Sequence, residues 1–142
     1  MPIMTFLVTD ADTAIALGSG TVEVLATPRL LAWFEAATVA ASAAELTPGQ
    51  TSVGTSVALK HRRATAVGRQ VDIELIRMDR DGARLEFELA AYEQPTDDPP
   101  ASAGGSADDT GADTAPRSPL ATAVIGRAIV DHAAFVANLN RT

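Results

Sequence analysis

Between Leu30 and Ala44 the chain reads Leu-Leu-Ala-Trp-Phe-Glu-Ala-Ala-Thr-Val-Ala-Ala-Ser-Ala-Ala, with Glu35 as its only charge. A helix that is apolar on every side must be covered on more than one side, so this run demands a fold that wraps a central helix. Glu35 then either lies on the stripe that touches water, or is buried and finds a partner or becomes neutral. Ala26-Thr27-Pro28 opens the helix. Thr27 fits an N-cap, whose side chain accepts an orphan backbone N–H, and Pro28 fits the first turn, where no N–H is required. Thr47-Pro48-Gly49 stops the helix near Leu46.

The remaining segments read as extended. A first strand is expected within Phe6–Ala16, ending at Gly18-Ser19-Gly20, and a short extended piece covers Val22–Leu25. From Ser52 the period becomes two, which predicts Val53, Thr55, Val57, Leu59 and His61 on one face. Strands follow at Val71-x-Ile73-x-Leu75 and Leu85-x-Phe87-x-Leu89-x-Ala91, joined at Asp81-Gly82, a pair that favours a tight hairpin. A last strand is expected over 121–130, then a short helix or extended tail. Residues 95–119 hold no aliphatic side chain larger than Ala and predict a disordered loop. Five Asp against Arg117 give that stretch −4 of the net −7. The order strand, helix, antiparallel meander is an α+β arrangement, in 142 residues a single domain. Such a sheet covers only part of the helix, so a homodimer is expected to complete the burial.

The acidic balance argues against general nucleic-acid binding, and an anionic ligand would have to meet a local basic cluster. No run reaches the ~18 apolar residues of a membrane span. The first residues lack a secretory pattern, which makes the cytoplasm the expected compartment. There is no cysteine, hence no thiolate nucleophile, and the two histidines are too far apart in sequence for a familiar metal spacing. No metal site and no separate cofactor are expected. His132 reads as a solvated tail residue. His61, on an inward strand face, is either a core residue or a proton carrier.

The order Val24-Leu-Ala-Thr27-Pro28, Glu35, Ser52-Val-Gly54-Thr55 and Lys60-His61 resembles the hot-dog thioesterases related to fluoroacetyl-CoA thioesterase. The likeness covers roughly residues 20–93, and the intervals between Thr27, Glu35 and His61 agree with that family's trio. It departs in the last strand, where Arg127 alone remains of a Gly-x-His-x-Arg element. The resemblance implies a long central helix wrapped by a curved antiparallel sheet, and a dimer with sites at its interface; the sequence does not decide between a dimer and a tetramer. It also implies hydrolysis of a small acyl-CoA, with coenzyme A entering only as part of the substrate. Thr27, Glu35 and His61 would be catalytic and Gly54 would lie close to the acyl group. Eight residues of regular helix separate Thr27 from Glu35 by ~12 Å along the axis. A compact site therefore needs two subunits, unless Thr27 sits on a loop that folds back. Trp33 and Phe34, beside Glu35, are candidates to line or block the acyl tunnel. Lys60, Arg62, Arg63, Arg69 and Arg127 are candidates for the coenzyme's phosphates. The rival readings are a non-catalytic acyl-CoA or small-ligand binding module, and a hydratase or dehydratase that leaves the thioester intact.

Overall fold

The computed structural model describes residues 2–96 and 117–140; the expected loop therefore falls largely outside the described residues. Among the described residues five strands form one antiparallel sheet: β1 (Met4–Leu7), β2 (Gln50–His61), β3 (Gln70–Asp81), β4 (Arg84–Glu93) and β5 (Ala121–Asp131). Their spatial order is β1-β3-β4-β5-β2, which leaves β2 at one edge. The sheet curls around α2 (Thr27–Ser42), which a short 3-10 turn (Ala43–Glu45) extends to the expected stop. Leu30, Phe34 and Ala37 of α2 pack on Val71 and Ile73 of β3, Leu85, Phe87 and Leu89 of β4, and Ala123 and Ile125 of β5. Burying an aliphatic or aromatic side chain of this size stabilises the fold by about 1.5–3 kcal/mol each before the ordering cost.

The cover is one-sided. Ala32, Val39 and Ala40 of α2 remain exposed, Val39 to 52%.

Two expectations about local structure need correction. The stretch expected as a first strand is extended only over Met4–Leu7, and it continues as a 3-10 turn (Asp10–Asp12) and a one-turn helix α1 (Ala14–Leu17). Local side-chain bonds win there: Asp12 Oδ2 accepts from Thr9 N at 2.8 Å and Thr13 Oγ1 accepts from Ala16 N at 3.1 Å. The piece at Val22–Leu25 is reduced to single bridges, Thr13 with Leu25 and Val24 with Ala66.

The second correction concerns β2. A bulge between Gly54 and Ser56 shifts its register on β5. Ser52 and Gly54 pair with Ile129 and Arg127, whereas Val57, Leu59 and His61 pair with Ile125, Ala123 and Ala121. Paired residues share a face, so the helix-facing set is Ser52 and Gly54 before the bulge and Val57, Leu59 and His61 after it. Val53 and Thr55 turn away. The chain ends in α3 (His132–Leu139), capped by Asp131, whose carboxylate accepts from Ala134 N at 2.9 Å; His132 is exposed, as expected. Among the described residues no helix is long and apolar enough to cross a membrane.

Candidate active site

The first polar cluster lies where α2 begins and β2 ends. Ala26, not Thr27, is the N-cap, and its side chain makes no cap bond. Thr27 is thereby the first helical residue, and its hydroxyl is free of the backbone. It lies 2.8 Å from Nδ1 of His61, and the ring tautomer decides which of the two donates. Nε2 of His61 is buried and has no hydrogen-bond partner among the described residues. Burial lowers the imidazole pKa from its usual 6.5, with the backbone at Arg63 pulling weakly the other way. The ring is therefore neutral at pH 7, with one nitrogen oriented and the other unengaged. A cleft of about 320 Å³ opens beside it, lined among others by Val22, Leu25, Thr27, His61, Arg62 and Arg63.

The second cluster lies midway along α2. The Glu35 carboxylate is not fully buried: its side chain is 39% exposed, and Oε2 faces Nη1 of Arg127 at 3.9 Å. Arg127 was a candidate for phosphate contact, but its side chain is only 8% exposed and its donors are engaged inside the fold. Nε donates to Ser52 Oγ at 2.9 Å, Nη2 to Ser52 O at 2.9 Å, and Nη1 to Thr38 Oγ1 at 3.4 Å. Burial lowers the Arg127 pKa, and the Glu35 charge pulls it back up. Gly54 lets the carboxylate lie against β2: a Cβ there would stand 2.9 Å from Glu35 Oε2.

The structure thus brings Thr27 to His61, and Glu35 to Gly54 and Arg127, but does not bring the two groups together within one chain. Trp33 and Phe34 line neither cavity. Phe34 is fully buried, and Trp33 stacks on Phe6 with ring centroids 4.6 Å apart, so both are core residues. Arg62 and Arg63 do flank the Thr27–His61 cleft, Arg63 donating to the carbonyl of Ser118. Lys60 is exposed near them, while Arg69 is tied to Thr96 and Glu93. A larger cavity, about 610 Å³, lies around Ser56, Asp79, Arg84 and Gly126; Arg127 lines it, whereas Thr27, His61 and Glu35 do not. No cluster able to hold a metal ion occurs among the described residues. Sequence reading missed Thr38, Ser42 and Ser52, although Thr38 and Ser42 fall three and seven residues after Glu35, on the same helical face.

Residues 8–97, well over half of the chain, match the family model described as fluoroacetyl-CoA-specific thioesterase. The chain belongs to this family. As a member of the fluoroacetyl-CoA-specific thioesterase family it is a hydrolase of thioesters. Solved structures agree on the hot-dog fold. A fluoroacetyl-CoA-specific thioesterase mutant in complex with fluoroacetate and CoA aligns with a TM-score of 0.72 at 23% identity, covering 96% of this chain and 94% of that one. A thioesterase superfamily member from Thermus thermophilus aligns with a TM-score of 0.74 at 17% identity, over 97% and 86% of the two chains. A hot-dog-like protein from Thermanaerovibrio acidaminovorans gives 0.72 at 20% identity, over 96% and 84%. No curated protein matches the chain.

Proposed function

We propose that the protein is an acyl-CoA thioesterase acting on a small acyl group, with each site formed by Glu35 of one subunit and the partner's Thr27 and His61. The observation that carries this reading is the 2.8 Å Thr27–His61 contact, which fixes a neutral imidazole and leaves its buried Nε2 without a partner beside a cleft flanked by arginines. A carboxylate and an oriented imidazole are what thioester hydrolysis needs.

Support for a two-subunit site comes from β2. Among the described residues no strand pairs with its outer edge, and Val57 is 44% exposed although it faces the helix side. Two β2 edges paired antiparallel about Val57 and Ala58 would bring Gly54 of one copy close to the partner's His61. The same pairing would cover the exposed apolar side chains that a lone chain leaves to water.

In the proposed reaction Glu35 attacks the thioester carbonyl or activates a water that does so. Backbone N–H groups in the first turn of α2, aided by the helix dipole, receive the negative charge on oxygen. The carbon–sulfur bond then breaks, and His61 Nε2 takes a proton from the attacking water and passes it to the departing sulfur. Where Glu35 itself attacks, the thiolate leaves first and that water opens the resulting anhydride, which frees the acid and restores the carboxylate. Thr27 keeps the ring in place. Arg62, Arg63 and Lys60 provide the local positive charge that coenzyme phosphates require on an acidic chain. Arg127 holds the Glu35 carboxylate instead.

Incubation with short, aromatic and long acyl-CoAs, with free thiol as readout, tests the reading. Release from a short acyl-CoA, lost in Glu35→Gln while binding of the ester persists, is expected. Binding without thiol release from any ester would make the chain a binding module and overturn the reading; conversion that keeps the thioester would make it a hydratase.

A further inference from the structure

Beyond its first turn, from Leu30 onward, α2 carries only three polar side chains, all on one face: Glu35, Thr38 and Ser42. Thr38 is fully buried and Ser42 nearly so. Alanine at either position would pack without needing a hydrogen-bond partner, so the hydroxyls call for a reason. Each donates to a carbonyl of its own helix, Thr38 Oγ1 to Glu35 O at 2.7 Å and Ser42 Oγ to Val39 O at 3.0 Å. Their lone pairs are thereby turned toward the sheet. Ser42 Oγ meets Ser52 Oγ at 3.3 Å, and Thr38 Oγ1 accepts from Nη1 of Arg127.

The proton directions form one consistent chain. Because Ser42 donates to Val39, Ser52 donates to Ser42, and the Ser52 oxygen is left to accept from Arg127 Nε. Ser52 therefore takes the Nε and Nη2 edge of the guanidinium through its own hydroxyl and carbonyl. Two bonds to one residue fix the plane of the fork. The remaining corner, Nη1, projects at α2 between Thr38 and Glu35. Its 3.9 Å approach to Glu35 is too long for a hydrogen bond, so charge attraction alone would leave its direction loose.

We infer that Thr38 and Ser52 are positioning residues, which aim the guanidinium of Arg127 and through it set the Glu35 carboxylate for reaction. The inference rests on the proposed role of Glu35. Both hydroxyls are engaged within the fold, Thr38 with Glu35 O and Arg127 and Ser52 with Ser42 and Arg127, so their loss is expected to act on turnover more than on binding.

Steady-state kinetics of Thr38→Val, Thr38→Ser and Ser52→Ala, alone and in an Arg127→Met background, test it. Thr38→Val keeps the shape and loses the hydroxyl; its kcat and that of Ser52→Ala are expected to fall about tenfold, with KM changed by less than about twofold. Thr38→Ser, which restores the oxygen, should regain most of the rate. In the Arg127→Met background, adding either substitution should cost nothing further, because the path through the guanidinium is already gone. Melting curves of each variant separate misfolding from mispositioning, and Ser52→Ala on the strand serves if Thr38→Val does not fold. Wild-type kcat in both single variants, with Glu35→Gln inactive, would overturn the inference, as would full additivity with Arg127→Met. An active Glu35→Gln would instead overturn the proposed function itself.

Discussion

Thr27 and Glu35 stand on one uninterrupted helix, eight residues and ~12 Å apart along its axis, and each has a different partner on the sheet. Thr27 meets His61 at the end of β2, and Glu35 meets Arg127 on β5 beside Gly54. No side-chain rotation within one chain closes that distance. If the four residues serve one reaction, a second copy must supply half of them.

The Thr27–His61 contact is expected to matter through its hydroxyl. Thr27→Val removes the partner of Nδ1 and frees the ring to rotate, which should lower kcat by about 10–100-fold, whereas Thr27→Ser keeps the oxygen and most of the rate. Stopped-flow or steady-state thiol release measures this. Equal rates in Thr27→Val and the parent protein would remove Thr27 from the site.

Gly54 and Gly126 make contrasting substitutions. At Gly54 a Cβ would meet Glu35 Oε2 at 2.9 Å, the tip of a flexible side chain that can move aside. Gly54→Ala should fold normally and lose about 100-fold in kcat through displacement of the carboxylate. At Gly126 a Cβ would meet Ser56 Oγ at 2.5 Å and Thr55 Oγ1 at 3.1 Å, on the bulge itself. Gly126→Ala should cost about 1–3 kcal/mol in stability, read from the denaturant midpoint. A destabilised Gly54→Ala with normal specific activity would reverse the assignment.

Much of this was legible beforehand, and the misses have physical causes. The central helix followed from its all-round apolar run. The face of β2 after Val57 followed from alternation, but a bulge adds one residue and inverts every side chain before it, which no period can foretell. Arg127 read as a phosphate ligand because a guanidinium suits phosphate. Its phase with Ala121, Ala123, Ile125 and Ile129 marked it as buried. Trp33 and Phe34 are neighbours of Glu35 in sequence, yet a helix turns about 100° per residue and sends them into the core. Thr27 read both as a cap, because threonine caps helices, and as a site hydroxyl; Ala26 takes the cap, and the hydroxyl meets His61.

Acid should act through His61. In the folded chain burial holds the ring below its usual 6.5, a value it regains on unfolding. Between those two values the unfolded chain binds more protons, so stability rises with pH through that window and is lost as pH falls through it. Denaturant midpoints of the parent and His61→Gln, taken from pH 7 downward, should diverge below about 6.5, the variant losing less. Parallel curves would contradict a buried neutral ring.

Charge placed on the free β2 edge should separate the subunits. Val57→Lys puts an ammonium at the centre of the proposed pairing, and is expected to give monomers by sedimentation with little thiol release. An active monomer would show that one chain suffices.

Complementation between two inactive variants is the most direct measurement. Glu35→Gln and His61→Ala should each be inactive alone. Co-expressed in equal amounts, they should recover about a quarter of the parent rate, since half of the dimers are mixed and each mixed dimer keeps one intact site. Activity no higher than that of either variant alone would contradict a site shared between subunits.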